Sequence, residues 1–199
     1  ESEVEDEAGW WNEVYDSESI PPWDIGQPQP ALVDAIDCYG LFGPVLDVGC
    51  GLGTHALWAT EQGHTALGID FSERGIEIAR MKARERSLNT DFRVADALNL
   101  PDTLEPFETV VDSGLFHAFE VDERETYAHE LAAIVSSGGH LFLVGFGEGA
   151  TEDAGPNPVA PDDIHSAFGN EWTVHEIQEC VFETRVRSEP GLLAVVERV

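Results

Sequence analysis

The chain has 199 residues and a net charge of −29, from 39 acidic and 10 basic side chains. Hydrophobic residues make up 42%, enough for a core, which excludes a disordered chain. No apolar run approaches the roughly 20 residues that a membrane helix needs, and the clustered Lys and Arg of a nucleic-acid-binding surface are missing.

Residues 1–8 are charged and expected to fray. Trp10, Trp11, Val14 and Tyr15 then share one side of a short helix. Residues 20–30, IPPWDIGQPQP, hold too much proline for helix or strand. A helix is predicted over 31–39 with Gly40 as its stop. From 44 onward strands and helices alternate: strand 44–50, helix 55–62, strand 64–70, helix 72–87 with Ser72 as N-cap, strands 91–96 and 107–113, helix 122–136, strand 140–146. Asp122 and Glu125 have capping-box spacing, and Gly138-Gly139 reads as the end of that helix. Residues 147–160 are a loop and 162–168 a short helix. Strand-like runs over 172–185 and 192–199 are joined by SEPG turn chemistry. The alternation predicts an α/β, doubly wound, mostly parallel sheet with helices on both faces, and the terminal pair adds one antiparallel strand. The length fits one domain. Its parts would be a lid and helices over 1–40, a ligand-binding core over 41–147, and a substrate-side segment with the closing strands over 148–199.

Nine of the acids fall in residues 1–24, the rest are spread along the chain, and Lys82 is the sole lysine. Acid distributed in this way suits a halophilic surface, where salt screens self-repulsion. Helix content measured by circular dichroism is therefore expected to rise in molar KCl, and a fall would count against salt adaptation. Arg80, Lys82, Arg84 and Arg86 alternate with Glu77 and Glu85, which describes a solvated helix face. Cys38, Cys50 and Cys180 form no CxxC pair, consistent with reduced thiols in a cytoplasmic protein. No signal-peptide pattern opens the chain. The histidines show no HxH or HExxH spacing, so no metal site is predicted.

The strongest local signal is VLDVGCGLGT, residues 45–54. Gly49, Gly51 and Gly53 let the backbone turn sharply between strand and helix and come close to a ligand. Asp70 ends the next strand, 17 residues after Gly53, where a carboxylate can accept two ribose hydroxyls. A dinucleotide would need G-x-G-x-x-G, but Thr54 stands at the sixth position. Asp47, Asp70, Asp96 and Asp112 all lie at ligand-side strand ends. Such an acidic rim repels a pyrophosphate and suits S-adenosylmethionine (SAM), whose sulfonium and ammonium are positive. An NAD-linked oxidoreductase on a similar fold and a non-catalytic SAM-binding module remain the alternatives.

DVGCGLG, GIDFS, VADAL and FETVVDSGLFHAF resemble the Rossmann-like SAM-dependent methyltransferases over roughly residues 40–147. The upstream PWDIGQPQP resembles the amino-terminal lid of the thiopurine, thiol and halide methyltransferases. This resemblance implies a seven-stranded sheet with an antiparallel last strand, methyl transfer to a small-molecule acceptor and S-adenosylhomocysteine (SAH) as product. It implies that Gly49, Gly51 and Gly53 line the methionine part and that Asp70 binds the ribose. Phe71, Asp96 and Ala97 would meet the adenine, and Asp112 and Ser113 would open toward the methyl group. Trp23 and Asp24 of the lid are expected to touch the cofactor. His117, after the fourth strand, is the candidate base, and Trp10, Trp11, Tyr15 and Phe116 are candidate pocket walls. A soft sulfur or halide acceptor is the favoured substrate class, because it needs no base.

Overall fold

The computed structural model describes residues 2–17, 19–104, 106–151 and 157–199, with side chains from residue 8. The strands are β1 Val45–Val48, β2 Ala66–Asp70, β3 Asp91–Val94, β4 Phe107–Ser113, β5 Val135–Phe146, β6 Trp172–Glu183 and β7 Ser188–Arg198. They form one sheet in the order β3-β2-β1-β4-β5-β7-β6. The first five are mutually parallel, and β7 runs antiparallel to both β5 and β6. The expected architecture is therefore present, and the one reversed strand lies inside the sheet. β1 and β2 are buried along their whole length, because they lie at the centre of a sheet covered on both faces.

The helices are α1 Ser2–Asp16, α2 Pro30–Tyr39, α3 Thr54–Glu61, α4 Glu73–Glu85, α5 Val121–Ile134 and α6 Pro161–Ala167. Leu32, Ile36, Leu57, Ile76 and Ala79 of α2, α3 and α4 fill the core on one face, with Phe92 and Phe142. Tyr127, Leu131 and Ile164 of α5 and α6 fill the other, with Leu46, Leu141 and Trp172. Ser72 caps α4 as its sequence predicts, accepting from the Gly75 amide at 3.1 Å. Strand order reverses between β1 and β4, and the crevice beyond their carboxyl ends is where such sheets bind ligands. No helix among the described residues is long and apolar enough to cross a membrane.

Four local expectations are corrected. Helix α1 begins at Ser2 rather than after a frayed tail. The capping box of α5 is Glu120 and Glu123, because extended Glu120 offers its amide to the Glu123 carboxylate at 2.9 Å. Residues 135–139 belong to β5, so Gly138-Gly139 does not end a helix. The β6–β7 turn is residues 184–187, where the Thr184 hydroxyl accepts from the amides of Val186 and Arg187. SEPG lies within β7, where Pro190 pairs with Val181 and its carbonyl accepts from Gly147 at 2.9 Å.

Candidate active site

The loop from β1 to α3 is built on Gly49, Gly51 and Gly53, all at positive φ. It forms a cradle closed by two side chains. A Cβ on Gly49 would stand 2.9 Å from the Leu115 Cβ, and one on Gly51 would stand 2.8 Å from the Tyr15 hydroxyl. Tyr15, which the sequence placed in the acceptor pocket, thus covers the glycine loop beside Asp70.

Asp70 is 7% exposed. Its two oxygens accept from the amides of Gly51 and Ser72, each at 2.8 Å. Burial pushes its carboxyl above the usual range, although both amides pull it down. Asp47 and Asp112 do not face the crevice as expected. Asp47 lies under the loop and accepts from the Ala56 amide at 2.9 Å, fixing the first turn of α3. Burial, reinforced by repulsion from Asp70 and Asp112, raises its carboxyl to about 8. Asp112 is fully buried and accepts from the Leu115 amide at 2.8 Å, the Phe116 amide at 3.2 Å and the Tyr127 hydroxyl at 2.7 Å. Burial raises it to about 6. Among the described residues none of these three carboxylates pairs with a Lys, Arg or His. Buried charge without a partner is costly; Asp47 and Asp112 are held by N–H and O–H donors inside the fold, which leaves Asp70 as the carboxylate at the cradle. Phe71, Asp96, Ala97 and Ser113 are half-buried at or just beyond the ends of β2, β3 and β4, and Asp96 accepts from the Leu98 amide at 2.9 Å.

Residues 20–29 form a strap across this edge. Asp24 accepts from the Gly26 amide and the Thr54 hydroxyl, both at 3.0 Å, and pairs with Lys82 at 3.3 Å. Burial alone would raise the Asp24 carboxyl, but the Lys82 ammonium and these bonds outweigh it, and its pKa lies below the usual value. Asp24 is therefore the anchor of the strap, and it uses the only lysine of the chain. Gln29, which the sequence did not flag, bonds the carbonyl and amide of Glu183 at 2.8 and 2.9 Å. Trp23 is half-buried, edge-on to Trp11 at 5.5 Å, and Trp11 stacks on Tyr15 at 6.0 Å.

The remaining expectations change. Trp10 is 55% exposed and stands edge-on to Trp11 at 4.7 Å. Phe116 is wholly buried between Tyr127, Phe168 and Arg124. His117 is not a base poised near neutrality. Its Nδ1 accepts from the Phe146 amide at 3.0 Å, the ring stacks on Phe146, and burial lowers it to about 4. The neutral ring therefore carries its proton on Nε2. Pro22, Trp23, Phe146, Thr184, Val186, Arg187 and Glu189 line a cavity of 130 Å³ beside the strap.

A Rossmann-like sheet with a glycine cradle and a carboxylate, Asp70, at the end of β2 is the frame in which such folds hold a nucleoside. Comparison with known proteins agrees. The methyltransferase domain family matches residues 45–139. A 2-heptyl-1-hydroxyquinolin-4(1H)-one methyltransferase of Mycobacteroides abscessus is 38% identical over 160 residues, covering 79% of this chain and 70% of the relative. A structure solved in work on conversion of a disulfide bond into a thioacetal group during echinomycin biosynthesis superposes with a TM-score of 0.86 at 32% identity, covering 96% of this chain and 92% of that one. A SAM-dependent methyltransferase from Anabaena variabilis shares the fold, with a TM-score of 0.79 at 20% identity over 98% of this chain and 95% of that one. The chain belongs to the SAM-dependent methyltransferases, and its cofactor is SAM. The nicotinamide and non-catalytic alternatives are thereby set aside. The thiopurine, thiol and halide group gains no specific support.

Proposed function

We propose that the chain methylates a small-molecule acceptor that reaches the site already ionised: an acidic hydroxyl on a planar heterocycle, a thiolate or a halide. The state of His117 carries this reading. A base must hold a free lone pair near the reacting atom, and the His117 lone pair is taken by the Phe146 amide. His55, the other imidazole beside the loop, accepts from the Gln29 amide at 3.3 Å and is likewise lowered by burial to about 4. SAM supplies a methyl group on a sulfonium, and transfer leaves SAH. The protein's part is to place the acceptor in line and exclude water, which the strap and its aromatic residues do. Arg187 and Glu189 face this cavity together as an ion pair. The Mycobacteroides relative acts on a 1-hydroxyquinolone, which supports a heterocyclic hydroxyl as the first acceptor to try.

The test is a pH series of kcat/KM, read as SAH release, over acceptors of graded acidity. The rising limb is expected to follow the pKa of each acceptor and to stay in place in His117→Asn, whose side-chain carbonyl can still accept from the Phe146 amide. A limb near neutrality shared by all acceptors and lost in that variant would overturn the reading.

A further inference from the structure

Toward the opposite end of the sheet from the cradle, three ligating side chains from three strands converge. His140 of β5 stands directly across from Glu197 of β7. On β6 the pairing with β7 shifts between Val174 and Glu176, leaving His175 as the extra residue of a bulge. A bulge re-aims side chains, and here His175 and Glu176 both meet Tyr39. The Tyr39 ring lies 6.2 Å from that of His175 and 5.8 Å from that of His140, and its hydroxyl donates to Glu176 at 3.0 Å. His175 Nε2 contacts Glu197 Oε2, and His140 Nε2 is 3.9 Å from the same oxygen.

We propose that His140, His175 and Glu197 bind a first-row divalent transition-metal ion, Zn²⁺ by the donor set, which clamps β5, β7 and β6 together. The three donor atoms lie within 4.8 Å of one another. Tetrahedral Zn²⁺ with bonds of about 2.0–2.1 Å sets its ligand atoms roughly 3.3 Å apart. Side-chain rotation covers that difference, because all three residues are partly exposed and the strands already bring their backbones into register. Two imidazoles and one carboxylate select zinc-like ions over Mg²⁺ or Ca²⁺, which prefer oxygen alone. The Tyr39–Glu176 hydrogen bond braces the bulge that presents His175, the kind of support that metal ligands use. The fourth position is left to water.

The experiment uses the full chain without an affinity tag, stripped of metal, with Zn²⁺ titrated calorimetrically in KCl containing excess Mg²⁺ to saturate the acidic surface. The expected result is uptake of a single Zn²⁺ per chain at micromolar or tighter affinity, with a raised thermal midpoint. Co²⁺ should give the visible absorption of a low-coordinate site. His140→Ala and His175→Ala should each weaken binding by more than about 10-fold, the loss that a supporting group alone can cause, and abolish the Co²⁺ band. Because His175 is exposed, its variant should keep the metal-free thermal midpoint, so the loss is not one of folding. Zn²⁺ affinity in both variants unchanged from that of the intact chain, or no stoichiometric uptake by the intact chain, overturns the proposal and leaves a histidine–carboxylate ion pair.

Discussion

Replacing Asp70 by Ala is expected to weaken SAM binding about 10- to 150-fold, on the order of 1.5–3 kcal/mol for lost charge-assisted hydrogen bonds. Each Asp70 oxygen already accepts one backbone amide, from Gly51 or Ser72. A carboxylate oxygen has room for a second donor, so two ribose hydroxyls can be held without disturbing the loop. The substitution also strips those amides of their acceptor, at a folding cost of ~1–3 kcal/mol. Asp70→Asn narrows the comparison: it keeps the side-chain shape and an acceptor for one of the two amides, and loses the charge. Calorimetry with SAM and SAH, run well below the unfolding midpoint, should rank wild type above Asn and Asn above Ala. Equal affinity in all three would remove Asp70 from the site. The pH dependence has opposite signs for binding and folding. Burial raises the Asp70 carboxyl, so acidification protonates it and weakens binding. A carboxyl raised in the folded state favours the fold at low pH, and that contribution is lost as pH rises through the raised value.

The centre of the sheet was legible because β1, β2 and most of β4 are buried on both faces. VLDV and ALGID sit in a parallel sheet covered by helices, and such strands read as mostly apolar runs. The glycine cradle was legible because a sharp chain reversal demands residues that tolerate positive φ, and Asp70 ends β2 where its sequence placed it. The directions of the side chains were not. Asp47 and Asp112 stand at the right strand ends, but the orphan amides of α3 and of the turn after β4 claim their carboxylates. His117 lies at the ligand edge in sequence, yet the fold turns its lone pair to the Phe146 amide. Helix α1 was missed at its start because an acidic segment shows no apolar period there. Contacts far along the chain help hold it: Asn12 accepts from the Ser72 hydroxyl at 2.7 Å and from the Arg74 amide at 3.2 Å. His140, His175 and Glu197 gave no linear signal, since each comes from a different strand and a bulge aims one of them.

The largest loss of stability is expected from Gly53→Ala. Gly53 sits at φ 80°, and a Cβ there would stand 2.7 Å from the Phe92 ring and 2.9 Å from the Ala79 Cβ. Left-handed backbone costs an L-residue roughly 1–2 kcal/mol, and overpacking adds about 1–3 kcal/mol. The ring has no room to retreat, because it also lies where a Cβ on Gly68 would be, 2.5 Å away. Phe92 is thus wedged between the loop and β2. The sum, about 2–5 kcal/mol, is a large share of the 5–15 kcal/mol that holds a domain together and should lower the thermal midpoint by on the order of 10 °C. Gly63→Ala is the matched control. It has φ 92° but nothing within 4 Å of its Cβ, so it bears only the backbone cost. If the two variants melt together, Phe92 yields and the wedge is not rigid. If Gly53→Ala melts well below Gly63→Ala and Phe92→Leu restores part of the difference, the ring sets the height of the loop over the end of β2. The Gly51 amide of the same loop reaches Asp70 at 2.8 Å, so the apolar wedge and the polar cradle lie on one segment.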